Sequence, residues 1–328
     1  MKTKGLLIFA AIIAMTFTSC EKEEPLTENP EFIPTATGDD PSGGNPNGGG
    51  TGGSGGGGGG GGIPSDFRAS TTPANRIAVL EDFTGVRCGF CPDGHEVAAQ
   101  VETSLGDDFI VIAVHASGTY SSPAPGSDWP NYETPFGDAI KTMADPSGFP
   151  AGALNRLPAS DLNLSPMRPN GMAMGRGSWT SAANAVVAMS SPVNIGAKAT
   201  ISGSTLTVVV DVYYTDDETD VNHINVALLQ NNLFGRQSGG TPDPMNYNNS
   251  HVLRALIAGD NPQWGDPITE STTKDSFIRK TYTYTVPADY NGTGADGGGA
   301  VVNDDLEVVA FISRGQSDIL TAVDVDVE

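Results

Sequence analysis

Cysteine is scarce, with three in 328 residues. Cys20 lies near the N-terminus, which leaves Cys88 and Cys91 as a single C-x-x-C pair. So few cysteines build no disulfide framework, and any core has to stand on apolar packing. A bond between positions 88 and 91 closes too short a loop to remove much entropy from the unfolded chain. The pair therefore reads as chemistry rather than as a staple. Basic side chains are also few: 17 Lys and Arg face 39 Asp and Glu, a net charge of −22. Nucleic acid phosphates repel such a polyanion, and no nucleic acid partner is expected. The apolar run at residues 6–15 is too short to cross roughly 30 Å of hydrocarbon as a helix. The glycine tract that follows lacks the Gly-Lys-Ser/Thr of a phosphate-binding loop. No cofactor is expected.

Residues 1–19 have the layout of an export signal. Lys2 and Lys4 precede the apolar run, and Phe17-Thr18-Ser19 puts small residues before Cys20. The pattern resembles a bacterial lipobox, with Phe17 where that box usually carries Leu. The resemblance implies an acylated Cys20 as the new N-terminus and a membrane partner reached through that lipid. An ordinary cleaved signal peptide with an incidental Cys20 is the alternative. Glu21-Lys22-Glu23-Glu24 resembles the acidic stretch that sends Bacteroidetes lipoproteins to the cell surface. Positions 43–62 then hold 15 glycines in 20 residues. Such a segment buries no apolar surface, so residues 20–71 are expected to be a disordered tether. As a flexible coil, the part up to residue 62 spans on the order of 35 Å.

Ordered structure is expected from about residue 72. Residues 77–83 form a β-prone run ended by Thr84-Gly85, and Pro92 suits the first turn of a helix reaching about Leu105. Residues 108–116 read as a second buried strand. Phe136, Ile140 and Met143 mark an amphipathic helix, Gly148-Phe149-Pro150 a turn into a short strand, and Trp179, Ala183, Val186 and Val187 a closing helix.

A strand, a C-x-x-C opening a helix and a proline entering a later strand resemble the thioredoxin superfamily, a fold expected over 72–190. The resemblance implies a buried carboxylate at Asp82, six residues before Cys88, and a cis-proline at Pro150 beside the disulfide. A second resemblance covers the whole exported chain. EDFTG-x-x-C-x-x-C-P, then GFPAGALNR and HVLRALIAG, look like the Omp28-related outer-membrane lipoproteins of Bacteroidetes. That likeness implies an outer-membrane address and an architecture more than a reaction.

In the thioredoxin-like reading, Cys88 stands exposed at the helix N-terminus, where free N–H groups favour its thiolate. It attacks a partner disulfide, Cys91 resolves the mixed disulfide, and Asp82 accepts the proton of Cys91. Phe149 and His115 line the site, and His95 faces solvent. A static Cys88–Cys91 disulfide in a vestigial domain remains an alternative. Cys88, Cys91 and His95 with His115 could otherwise bind zinc, but His115 reads as site-lining rather than as a ligand, and no metal is expected.

From Pro192 the pattern alternates. Residues 193–201, 206–214, 224–229, 277–286, 306–313 and 319–327 read as strands of an antiparallel β-sandwich spanning 191–328. Residues 231–273 read as a long, strand-poor insertion. It holds Tyr247, His251, Arg254 and Trp264, residue types favoured at binding hot spots, though Trp264 and Leu253 can equally cap the sandwich. The acidic turn at 216–220 is either a weak calcium site or a solvated hairpin tip. Two functions stay open. One is thiol–disulfide exchange with protein thiols or disulfides. The other is a non-enzymatic binding or adhesion module that engages a surface protein.

Overall fold

The computed structural model describes residues 63–123, 127–290 and 299–328. The leader, Cys20 and the tether as far as residue 62 lie outside the described residues. Along the chain run β1 (Ala74–Asn75), β2 (Ala78–Thr84), α1 (Cys91–Leu105), β3 (Phe109–His115), α2 (Pro135–Ala144), β4 (Ala151–Leu154) and α3 (Trp179–Val187). There follow β5 (Ser190–Ser191), β6 (Val193–Ser202), β7 (Thr205–Tyr214), β8 (Asn222–Gln230) and β9 (Leu233–Gly235). The last elements are β10 (Tyr247–Asn249), β11 (Val252–Leu256), β12 (Asp266–Pro267), β13 (Phe277–Thr285), β14 (Leu306–Arg314) and β15 (Ser317–Asp326).

Local chemistry accounts for the elements near the cysteines. Every residue of β2 and of β3 is buried, as an apolar run covered on both faces should be. The two pair in parallel, Ala78 opposite Phe109 through Thr84 opposite His115. α1 begins at Cys91 with Pro92 in its first turn and stops at Gly106, whose φ of 56° suits glycine. On α2, the Thr134 hydroxyl caps the first turn by accepting from Gly137 N at 3.0 Å. Leu80, Val111, Val101 and Trp179 pack together where α1 and α3 cover one face of β2 and β3. Ile140 and Ala144 of α2 join Phe83, Ile112 and Val114 on the other.

One mixed sheet runs through the molecule in the order β15-β14-β8-β11-β3-β2-β4, with β12 added on β8. A separate antiparallel sheet, β13-β7-β6, lies against it. Val208, Val210 and Val212 of β7 meet Val226, Leu228, Val308 and Ala310 in the core between them. This is the two-layer packing expected of the C-terminal half. One layer, however, is the far end of the sheet that carries β2, β3 and β4. The boundary expected at 190/191 is therefore crossed by continuous strand pairing. The reading of 231–273 as strand-poor needs correction, because that stretch supplies β9, β10, β11 and β12. β11 pairs in parallel with β3 at Val252 opposite Ala113, and antiparallel with β8 on its other side.

A polar staple secures the near and far halves of the sheet. Asn155 Oδ1 accepts from Val79 N at 2.7 Å, and its Nδ2 donates to Ile77 O and Ile319 O, each at 2.9 Å. Beside it Arg156 donates through Nε and Nη2 to Glu81 Oε1 at 2.9 and 2.7 Å, with both side chains 1% exposed. Its Nη1 reaches Gln316 O at 3.1 Å, and its guanidinium lies 5.2 Å from the Phe311 ring centroid. Both residues have positive φ, 48° and 51°. These contacts give a physical reason for the Asn-Arg pair after β4.

Removing one member of a buried ion pair strands the other charge and costs about 3–5 kcal/mol. Arg156→Ala should lose stability of that order in urea titration. Arg156→Met combined with Glu81→Met should recover much of the loss. A loss below about 1 kcal/mol in the single variant would show that the pair does not hold the halves together.

Candidate functional site

The cysteine pair sits where β2 hands over to α1. After Thr84 the chain turns at Gly85, where an added Cβ would stand 2.3 Å from Ser121 Oγ and 2.4 Å from Tyr120 O. Only glycine fits that approach. Cys88 N then donates to Gly85 O at 2.9 Å, and Cys91 N to Cys88 O at 3.3 Å. Cys88 and Cys91 are joined as a disulfide with Cα atoms 5.4 Å apart. Phe90, between them, is 68% exposed. The Phe149–Pro150 peptide is cis, as the resemblance to thioredoxin implies. Pro150 is buried against α1, where an added Cβ at Gly94 would meet Pro150 Cβ at 3.0 Å. Phe149 packs on Tyr120 with ring centroids 5.5 Å apart.

Cys88 is not exposed. It is 2% accessible and Cys91 0%, which corrects the expectation of an open nucleophile. The cover comes from residues 236–246, the connection between β9 and β10. Gln237, fully buried, donates through Nε2 to Gly85 O and Cys88 O, each at 3.1 Å. Ser238 N donates to Val86 O at 2.8 Å. Gly239 has φ of 73°, and an added Cβ would stand 2.1 Å from Gly89 O. A strap of backbone is therefore seated directly on the cysteine turn. Arg236 fixes its near end through Asp128 at 2.6 Å and the Trp129 ring, 4.1 Å from the centroid.

Asp82, on β2 just ahead of the cysteine turn, is 1% exposed, with Oδ1 lacking any hydrogen-bond partner among the described residues. Burial pushes its carboxyl up to about 8. A carboxyl raised from 3.8 to about 8 keeps its proton on folding, so stability is full at low pH and falls as pH rises across that window. The nearest cation-capable group is His95, with Nε2 3.8 Å from Asp82 Oδ2. His95 does not face solvent as expected. Its Nε2 lies 2.8 Å from Thr84 Oγ1 and its Nδ1 2.8 Å from Tyr247 Oη. Burial, followed by the nearby His251, lowers it to about 4. His115 is buried beside Thr84 in the register, edge-on to Tyr132 at 5.1 Å, and burial lowers it to about 3.

A cavity of about 350 Å³ opens beside these groups, lined by Asp82, His95, Glu102, Val111, Tyr247 and His251, among others. His251 lies 3.4 Å from Glu102 and 3.3 Å from Glu307. Of the four residues singled out in 231–273, Tyr247 and His251 thus belong to this site. Arg254 instead lies buried over the Tyr290 ring, at 4.5 Å, and Trp264 lies 5.8 Å from Arg156. The acidic turn at 216–220 is occupied by Arg314, whose Nη2 reaches Glu218 Oε2 at 2.7 Å. Among the described residues no group of three or more His, Cys, Asp or Glu could hold a metal ion. Gln237 and the strap carried no sequence signal, because a polar loop with Gly239-Gly240 and two prolines resembles any other surface turn.

If the strap limits access, Gln237→Ala removes two hydrogen bonds that hold it down. Loss of about 1–3 kcal/mol of cover should speed reduction of the disulfide by a small dithiol roughly tenfold. An unchanged rate would mean that the strap does not control access.

The family described as outer membrane protein Omp28 matches residues 137–325, more than half of the chain. The match takes in Pro150, the strap and the far part of the mixed sheet, and starts after the cysteine pair. No curated protein matches. Among solved structures, HBP35 of Porphyromonas gingivalis is similar at 18% identity over 77% of this chain and 76% of that one, with a TM-score of 0.58. A domain of the outer membrane lipoprotein Omp28 from Porphyromonas gingivalis is 21% identical over 42% of this chain and 96% of its own, with a TM-score of 0.28. With most of its length matched by that family's pattern, the chain belongs to the Omp28 outer membrane protein family.

Proposed function

We propose that this chain is a lipid-anchored outer-membrane protein, held through Cys20, whose Cys88–Cys91 pair carries out thiol–disulfide exchange on a thioredoxin-like arrangement. The observation that carries the reading is the disulfide at a strand-to-helix junction, with the buried carboxyl of Asp82 on that strand and its Oδ1 unpartnered among the described residues. The order β3-β2-β4, with α1 and α3 on one face and α2 on the other, supports the same reading. So does the cis-Pro150 against α1. In the oxidised form a partner thiolate attacks Cys88 Sγ, and the departing Cys91 thiolate takes a proton from Asp82. In the reduced form Cys88 attacks a partner disulfide and Cys91 resolves it. Phe90, exposed beside the pair, offers the partner an apolar contact. His115, at the end of β3, lines the site. Since Cys88 is covered, exchange requires residues 236–246 to move aside.

That same cover favours a second reading, in which the disulfide is static and the protein is a surface binding module. Cys91→Ser separates the two. Exchange predicts that this variant accumulates mixed disulfides with other envelope proteins, resolved on non-reducing gels and absent from Cys88→Ser. A binding module accumulates none. The anchor is checked by mass spectrometry of the native N-terminus, which should be an acylated Cys20. An unmodified start elsewhere contradicts it.

A further inference from the structure

Cys88 is closed under the strap, whereas Asp82, His95 and Tyr247 line a separate cavity. Asp82 lines that cavity and turns an unpartnered carboxyl oxygen toward no protein group, although it is 1% exposed. A cavity of about 350 Å³ that Asp82, His95, Glu102 and His251 help to line has ample room for several waters, and unsatisfied buried polar groups are where such waters bind. His95 lines the cavity next to Asp82, whose unpartnered Oδ1 is itself shut off from solvent. His95 follows Cys91 by four residues on α1, so the two share a helix face. Its Nε2 is 3.8 Å from Asp82, and a ring swing of about 1 Å brings that nitrogen to hydrogen-bond distance. Its Nδ1 meets the hydroxyl of Tyr247, which also lines the cavity, at 2.8 Å.

We propose that His95 is the proton carrier between the cavity and Asp82, with Thr84 and Tyr247 fixing its ring. The proposal rests on the reading that Cys88–Cys91 exchanges. A dithiol partner loses one proton to solvent, and its thiolate attacks Cys88 Sγ. The Cys88–Cys91 bond breaks with its electron pair on Cys91, and Asp82 gives its proton to that sulfur. The Tyr247 hydroxyl gives its proton to His95 Nδ1 and takes one from cavity water, and Nε2 passes a proton to the Asp82 carboxylate. The partner's second thiol, ionised in turn, attacks its own sulfur in the mixed disulfide and releases Cys88, which takes a proton from solvent. The partner leaves oxidised and the protein is a dithiol.

Imidazole suits the step because one nitrogen can gain a proton as the other gives one up. The groups facing His95 set its working range. These are Asp82 on β2, Glu96 and Glu102 on α1, His115 at the end of β3, Tyr247 on β10, and His251 with its partner Glu307. Burial keeps His95 neutral near pH 7, so it is charged only in passing. Tyr247 is the first residue after the strap, so a partner that lifts the strap also acts on the relay.

The test is the rate of disulfide reduction by dithiothreitol in the full chain, followed by acid quench and alkylation over pH 5–9, about the range of these groups. Rates are divided by the reagent's own thiolate fraction and measured in the native and Gln237→Ala backgrounds, so that strap opening does not mask the step. His95→Gln keeps one donor and one acceptor but cannot shuttle a proton. It should slow reduction at least tenfold and flatten the pH profile. His95→Ala should recover when imidazole is added to the buffer. Unchanged rates and profile in both backgrounds overturn the relay alone. Equal losses in both variants with no imidazole rescue reduce His95 to a structural part, which also overturns it. A native protein whose disulfide resists the reagent in both backgrounds instead sinks the exchange reading beneath it. Should His95 variants fail to fold, Tyr247→Phe keeps the imidazole and removes its clamp. A slower rate with a shifted profile then supports the relay, and an unchanged one overturns it.

Discussion

The docking of β11 on β3 is the constraint from which the site follows. Val252 pairs with Ala113 in parallel, and Ala113 N donates to His251 O at 2.8 Å. On the other side β11 meets β8 in antiparallel register from Val252 to Leu256, with a bulge between Leu253 and Ala255. A bulge re-aims one side chain, and here it puts Arg254 in the interior among Tyr132 and Tyr290. The β9–β10 hairpin precedes β11 directly, so seating β11 against β3 also seats the hairpin beside the β2–α1 junction. The strap over Cys88, Tyr247 on His95, and His251 between Glu102 and Glu307 all depend on that one strand. The same pairing welds the two halves of the chain into one sheet, which Asn155 and Arg156 reinforce at Ile319 and Gln316.

Charge is allocated unevenly in a way that marks the site. With 17 basic residues against 39 acidic ones, cations are few, yet three other buried carboxylates each receive an arginine, and a fourth, Glu307, takes His251. Glu81 takes Arg156, Asp211 takes Arg279 at 2.6 Å, and Glu218 takes Arg314. Asp82, one residue from Glu81 and as deeply buried, receives no arginine or lysine among the described residues. Its one ionisable neighbour at salt-bridge distance among them is His95, which burial keeps neutral. A carboxyl left without a counter-charge is expensive to ionise, and such perturbed groups cluster where chemistry is done. A structural carboxylate would be expected to resemble its neighbour Glu81.

Much of this was legible in the residues. β2, α1 and β3 fall within a residue or two of the expected spans, because a β-prone run, Pro92 and a continuous apolar segment are strong local signals. The alternating runs at 193–214 and 306–327 likewise became strands. The stretch 231–273 was opaque for physical reasons. β10 is Tyr-Asn-Asn, with no apolar alternation, and the five-residue Val-Leu-Arg-Ala-Leu of β11 is too short to separate strand from helix by period. The pairing of β11 with β3 is non-local, so nothing in either segment reports the other. His95 was read outward because its partner Tyr247 lies 152 residues further along the chain. The same blindness hid the strap and made Cys88 look open.

The central claim is that this covered disulfide is a working redox couple rather than a permanent bond. Equilibrating the full chain with glutathione buffers and counting free Cys88 and Cys91 thiols by mass gives its reduction potential directly. Exchange predicts a midpoint in the range of catalytic dithiols, roughly −120 to −270 mV. A midpoint below about −300 mV, where structural disulfides fall, would contradict the account and leave Cys88–Cys91 a fixed part of the fold.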